Sequence, residues 1–141
     1  VLILDVPILE EVIRPVPDAR VGAWLASQIR DDLYTTSLAQ AAIHCSVERL
    51  APGKRRADLL AAVGEIFAFF DRRVLSFDSD AAKAYPVIVI NRKMMGTPLP
   101  AEAAMLAAIA RSRGATLATR NSSDFAGCGV RVVSPWELLD R

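Results

Sequence analysis

Two stretches of polar, chemistry-bearing residues stand where an apolar strand ends. Asp5 closes Leu2-Ile3-Leu4, and Arg120-Asn121-Ser122-Ser123-Asp124-Phe125 follows Ala115-Thr116-Leu117-Ala118-Thr119. Short buried strands carrying acidic or amide groups just past their C-terminal ends, with helices between them, describe an open α/β sheet, and such sheets bind ligands along that edge. The chemistry this offers is ligand binding by converging carboxylates and amides, with Asp5, Asn121 and Asp124 as first candidates. Each acid also has a quieter role: Asp5 can cap the helix that follows it, and Asp124 can hydrogen-bond its own turn. Other chemistries find no foothold. The chain has no G-x-x-x-x-G-K-S/T loop, no GxGxxG after a strand, no G-x-S-x-G elbow and no HExxH, which removes the common nucleotide, hydrolase and zinc sites. A Ser-His-Asp triad would have to use the one histidine, His44, which reads as an ordinary helix residue.

The elements that must position these residues alternate along the chain. Pro7 suits the first turn of a helix running to Ile13, which Pro15 and Pro17 stop. Asp18 caps a second helix, Leu33-Tyr34-Thr35-Thr36 reads as a strand, and Ser37 is placed to cap a helix through Ile43, Val47 and Leu50. From Lys54 to Phe70 an amphipathic pattern puts Leu59, Leu60, Val63, Phe67 and Phe70 on one face. Val74-Leu75-Ser76-Phe77 is a further strand, followed by a helix over 80–95 that Pro86 bends or starts late. A helix from Pro100 ends at Gly114, which suits a left-handed C-terminal cap. The strands 115–119 and 130–133 and a last helix opened by Pro135 complete the series. Strands separated by helices this long imply right-handed crossovers and a mainly parallel sheet of four or five strands.

Composition sets the outer limits. With 141 residues and 52% apolar content the chain is sized for one domain with a full core. Lys and Arg number 17 against 16 Asp and Glu, a net charge of +1, so any attraction to nucleic acid has to come from local patches. Lys54-Arg55-Arg56 is one such run, and Arg111, Arg113 and Arg120 are expected near the sheet edge; surface solvation is the commoner fate of such groups, and contact with an RNA backbone the sharper one. Cys45 and Cys128 show no metal-type spacing and read as reduced thiols of a cytosolic protein. No apolar run approaches the roughly 18 residues that span a bilayer, and Val1-Leu2-Ile3-Leu4 meets Asp5 too soon for a signal peptide. The expectation is a cytoplasmic protein with no membrane partner.

The order of LILD, LYTTSLAQAAIHCSVERL, KRRADLL, FDSDAAKAY, AAIARSRGATLATRNSSDFAGCGV and VVSPWELL resembles a PIN domain across nearly the whole chain. More narrowly it is similar to the VapC-type toxins of bacterial type II toxin–antitoxin modules, including the FitB-like branch. ATRNSSDF followed by Pro135-Trp136 is the most specific part of the match. The resemblance implies a single PIN domain over residues 1–141, a three-layer α/β/α fold and a metal-dependent ribonuclease. It further implies Mg²⁺ or Mn²⁺ as cofactor, a cognate antitoxin as partner, RNA as substrate and assembly as a homodimer. Phosphodiester hydrolysis in such a site uses metal ions to polarise phosphate and activate water, and Mg²⁺ needs several hard carboxylate oxygens to hold it.

Against that pattern the chain departs at most of the acidic positions. Asp5 matches the first, but the Thr-Asn that usually follows is Val6-Pro7. Matched through Arg49-Leu50, the helical Glu of the family falls on Ala42; matched back from Ala107-Ala108-Ile109-Ala110-Arg111, the third acid falls on Ala103, with Glu102 beside it. One residue along a helix turns a side chain by about 100°, so Glu102 is not a simple replacement. The last position offers Asn121, with Asp124 three residues on. Glu11 is open to a place beside the ligands or a pairing with Arg14 or Arg120. The implied metal set is therefore Asp5, Asp124 and Glu102, and the implied catalytic set Asp5, Asp124 and Asn121. Its charge of about −2 against about −4 for the family predicts weak binding of Mg²⁺ or Mn²⁺. Arg120, Arg111, Arg113 and Lys54 are the RNA-contact candidates. Two function classes follow, a VapC-like endoribonuclease of reduced activity, and a non-catalytic PIN fold that dimerises and binds an antitoxin.

Overall fold

The computed structural model describes residues 1–138. Five short strands, β1 (Leu2–Leu4), β2 (Leu33–Thr36), β3 (Val74–Leu75), β4 (Thr116–Ala118) and β5 (Arg131–Val133), form one sheet in the order β3-β2-β1-β4-β5. Every pairing is parallel, with Leu2 opposite Leu33 and Thr116, and Leu4 opposite Ala118. The helices are α1 (Val6–Ile13), α2 (Ala19–Ala26), α3 (Ser37–Glu48), α4 (Lys54–Phe69), α5 (Ser79–Met94), α6 (Ala101–Arg113) and α7 (Pro135–Leu138).

Because side chains alternate across a strand, β1 feeds both layers: Ile3 enters one core and Leu4 the other. On the Ile3 side, Ile88 of α5 and Ile109 of α6 pack with Leu117. On the Leu4 side, Ile8, Val21, Ile43 and Val63 bring in α1 to α4, with Trp136 of α7. The expected three-layer α/β/α architecture is thus present, with five strands and a wholly parallel sheet. Buried Ala104, Ala107, Ala108 and Ala110 keep α6 slim where it lies against α5 and the sheet, and Gly114, at φ 60°, turns the chain directly into β4.

Local differences from the sequence reading have physical causes. Thr36, not Ser37, caps α3, accepting from the Ala39 N–H at 3.1 Å, and Ser37 is the first helical residue. Asp78 caps α5, whose Pro86 lies inside the helix without ending it. Only Val74 and Leu75 pair as strand. On α4, Val63 is buried but Leu60 is 49% exposed: the helix is covered from one side, and the apolar stripe is wider than the cover. A 3₁₀ turn over Arg30–Asp32, which no periodicity marks, leads into β2.

Candidate acidic site

Parallel pairing brings the C-terminal ends of β1 and β4 together, so Asp5 and Thr119 are neighbours. The Asp5 N–H donates to the Ala118 carbonyl at 3.0 Å, continuing the ladder one residue past the strand. Asp5 is also the N-cap of α1. Pro7 has no N–H to offer at the second helical position, and Asp5 Oδ1 instead accepts from the Val6 N–H at 2.7 Å. Its second oxygen accepts from the Thr119 hydroxyl at 2.9 Å. Burial pushes the Asp5 carboxyl above the ordinary carboxylate range, against the opposing pull of these two donors.

A crevice of about 350 Å³ opens beside Asp5, between α3 and α6. Ala42 and Ala103 both line it, as does Glu102. Three of the four positions onto which the resemblance places the family's acids therefore meet here, and two of those three carry a methyl group. Glu102 is exposed in the first turn of α6. Leu38, Leu106 and Phe125 supply apolar wall, and Cys45 lies on the α3 side.

Asn121 and Asp124 do not line this crevice. Asn121 precedes a 3₁₀ turn over Ser122–Phe125, and both side chains are exposed. Asp124 serves its loop through the backbone: its N–H donates to the Asn121 carbonyl at 3.2 Å, and its carbonyl accepts from Arg92 at 2.7 Å. Arg92, buried on α5, also donates to the carbonyls of Thr97 and Ala126. Glu11 is settled: it is buried, accepts from the Asp18 N–H at 2.8 Å and pairs with Arg14 at 3.3 Å. Among the described residues no group of three His, Cys, Asp or Glu is placed to hold a metal ion. With Asp5 and Glu102 the only carboxylates among the described residues that line the crevice, the donor set does not fit a Mg²⁺ centre held by protein charge.

The basic candidates are scattered. Arg120 follows Thr119 at the same sheet end, its guanidinium 4.7 Å from the centre of the Trp136 ring. Arg111 and Arg113 precede β4 and so sit at the opposite end of the sheet, where Arg111 donates to the Cys128 carbonyl at 3.3 Å and Arg113 pairs with Asp78 at 3.4 Å. Lys54 lines a separate groove. That groove runs between α1 and α4 in two contiguous parts of about 860 and 670 Å³, with Ile13 and Ala62 in both. One part is bordered by Glu10, Arg14, Lys54, Arg55 and Asp58; the other is walled by Leu9, Leu25, Ile66 and Phe69. His44 stacks on Phe67 beyond the crevice, with ring centres 6.2 Å apart. No helix among the described residues is long and apolar enough to cross a membrane.

Sequence reasoning missed Thr119. A hydroxyl one register step past the strand pair Leu4–Ala118 is the signal that points to it.

No protein-family model matches the chain. Toxin FitB of Neisseria gonorrhoeae is 33% identical over 136 residues, covering 96% of this chain and 98% of the toxin. VapC ribonuclease Y4jK of Sinorhizobium fredii is 30% identical over 137 residues, covering 96% and 98%. The solved structure of FitAB bound to an IR36 DNA fragment superposes with a TM-score of 0.91 at 33% identity, covering 96% of each chain.

Proposed function

Because the chain belongs to the family of VapC- and FitB-type toxins, we propose that it is a toxin-fold protein neutralised and held by a cognate antitoxin, with its ribonuclease chemistry lost or nearly so. The observation that carries this reading is the α3–α6 crevice, where Asp5 converges with Ala42 and Ala103, one acid beside two methyl groups. A family nuclease draws on Mg²⁺ or Mn²⁺ to activate water and steady the leaving oxygen; here the residues that would hold the ion are Asp5 and Glu102. Asp5 itself caps α1 and ties β1 to β4 through Thr119, roles that need no metal.

The binding half of the function is read from two surfaces, a groove and a helix face. The groove along α1 and α4 combines an apolar floor with charged borders, as an amphipathic helix in a groove requires. A homodimer is supported by α5, whose Val87, Ile90 and Met94 lie on one helical face at 52, 55 and 82% exposure. Light scattering on the protein and on Ile90→Glu tests it: a dimer that becomes a monomer supports this face, and a monomer in both removes it. Arg120, at the crevice end of the sheet, is the basic residue best placed to meet RNA.

A second reading is favoured by one observation, that Glu102 shares the crevice with Asp5: these two carboxylates sustain slow metal-dependent cleavage. RNA cleavage with Mg²⁺ or Mn²⁺, beside an EDTA control, separates the two. Activity only in the Ala42→Glu, Ala103→Asp variant supports the silenced toxin. Cleavage by the unaltered chain that disappears on Asp5→Asn and on Glu102→Gln supports the second reading.

A further inference from the structure

The end of the sheet away from Asp5 carries a cavity of about 280 Å³, where β4 and β5 begin. Arg111, Gly114, Thr116, Gly129 and Arg131 line it, and no acid does. Thr116 and Arg131 are register partners across β4 and β5, and Arg111 reaches the same place from the last turn of α6.

Arg111 is held in position. Its Nη1 donates to the Cys128 carbonyl at 3.3 Å, and it lies so close over Gly129 that a Cβ there would stand 2.9 Å from Nη1 and 3.1 Å from Cζ. Gly129, at φ 70°, is therefore both the turn into β5 and the seat of the guanidinium. The other N–H groups of that guanidinium remain available. Arg131 is exposed, and no hydrogen bond or ion pair among the described residues engages its guanidinium or the Thr116 hydroxyl.

Position alone explains part of this charge. Arg111 and Arg113 answer the dipole at the C-terminal end of α6, and Arg113 is paired with Asp78. Arg131 opens the edge strand β5, where a charge discourages pairing with another chain, a role that asks for no second cation beside it. Two like charges around one small space with no acid between them repel, and an anion removes that cost. The carbonyls at the helix end that would oppose an anion are occupied: Ala110 accepts from the Gly114 and Ala115 N–H groups, and Ile109 from the Ser112 hydroxyl.

We propose that this cavity is a binding site for a phosphate group, gripped by Arg111 and Arg131 with the Thr116 hydroxyl between them. Guanidinium groups pair phosphate oxygens two at a time, and a space just under the roughly 300 Å³ of the smallest ligand pockets suits a phosphate rather than a whole nucleotide. The group is inorganic phosphate or one phosphate of an RNA strand passing over the site. Standing at the opposite end of the sheet from Asp5, the site depends on no reading of the acidic crevice.

Amide chemical shifts of the intact protein, titrated with inorganic phosphate at neutral pH while sodium chloride holds the ionic strength constant, test this. The expected result is saturable shifts at Thr116, Gly129 and Arg131 with none at Lys54, and binding weakened about fivefold by Arg131→Gln and by Arg111→Gln, each removing one charge-assisted contact. Arg131→Gln breaks no internal hydrogen bond, so it decides the matter even where Arg111→Gln loosens the turn at Gly129. A second titration uses a short oligouridylate without a terminal phosphate. Shifts at the same three residues, competed by inorganic phosphate, assign the site to an RNA backbone; their absence, beside saturable binding of inorganic phosphate, assigns it to free phosphate. The proposal is overturned if inorganic phosphate leaves those three residues unmoved, if its shifts spread equally to Lys54 and Arg120, or if Arg131→Gln titrates like the parent.

Discussion

The crevice between α3 and α6 and the groove between α1 and α4 differ in what they have kept. The crevice brings Asp5 together with Glu102 and with two alanines, Ala42 and Ala103. The groove has both apolar floor and charged border. The fold is indifferent to the side chains at these two positions because Ala42 is exposed and Ala103 only partly buried, and neither supplies a hydrogen bond to the sheet. Stability is set elsewhere, by Ile3, Ile109 and Leu117 on one face and Leu4, Ile8 and Ile43 on the other. Side chains in the crevice can therefore be exchanged at little cost to the scaffold, whereas a groove that shares Leu9, Ile66 and Phe69 with the second core is tied to it.

The largest expected effect breaks the comparison from the groove side. Ile13 lines both parts of the groove, so Ile13→Glu places a charge at its centre and is expected to weaken antitoxin binding about 100-fold, in the range of an interface hot spot. Calorimetric titration checks it, with circular dichroism to confirm the fold. A loss below tenfold would mean that the antitoxin docks elsewhere.

Next comes the clamp that holds the loop after β4. Arg92 spans the carbonyls of Thr97, Asp124 and Ala126 from a buried position. Arg92→Leu leaves those carbonyls without their donor and is expected to cost about 3 kcal/mol, as hydrogen bonds from a charged group are each worth roughly 1.5–3 kcal/mol. Urea unfolding measures it, and a loss under 1 kcal/mol would show the loop to be held by other contacts.

How much of this was legible in the chain divides along the same line. The strand ends at Asp5 and Thr119, the left-handed turn at Gly114 and the opening of α7 at Pro135 are local signals, read within a few residues. The convergence of Asp5, Ala42 and Ala103 was legible through the resemblance, which carries topology that no short window holds. Three features were not. The Thr119–Asp5 bond joins residues 114 apart. Arg92 carries no motif or spacing that marks it, and only the fold shows that carbonyls surround it. Arg111 and Arg113 lie close to Arg120 in sequence, but β4 intervenes, and three strand residues at about 3.3 Å each carry them to the far end of the sheet.

A smaller effect sharpens the comparison from the crevice side. Ala103→Asp returns one acid beside Asp5, whose carboxyl burial already disfavours in its charged form. Like charges repel and raise each other's cost, so without metal the variant is expected to be about 1 kcal/mol less stable than the parent at neutral pH. Millimolar Mn²⁺ is expected to restore the difference, because an ion that binds only the folded state stabilises it by mass action. Thermal unfolding with and without Mn²⁺ decides the matter; an equal melting temperature for parent and variant in the absence of metal would show the crevice to be wetter than its lining implies.

The smallest effect is a matter of sign. Asp5 has its folded pKa raised above the ordinary value of 3.8 by burial, so the folded state binds its proton more tightly than the unfolded chain does. Its contribution to stability is fully present below 3.8 and is lost as pH rises through the raised folded value. Asp18 and Asp78 run the other way. The Arg20 side chain and backbone hold Asp18 low, the Ala81 N–H and then Arg113 hold Asp78 low, and their contributions are present above 3.8 and lost on acidification. Asp5→Asn keeps an oxygen for the Val6 N–H and removes the ionisation, so its stability relative to the parent should rise between pH 4 and pH 7. Asp78→Asn should fall over the same interval as the parent gains what the variant lacks. Urea midpoints across that range separate the two: parallel curves for Asp5→Asn and the parent would mean that the carboxyl is well solvated in the folded state, and that the crevice beside it is open to water.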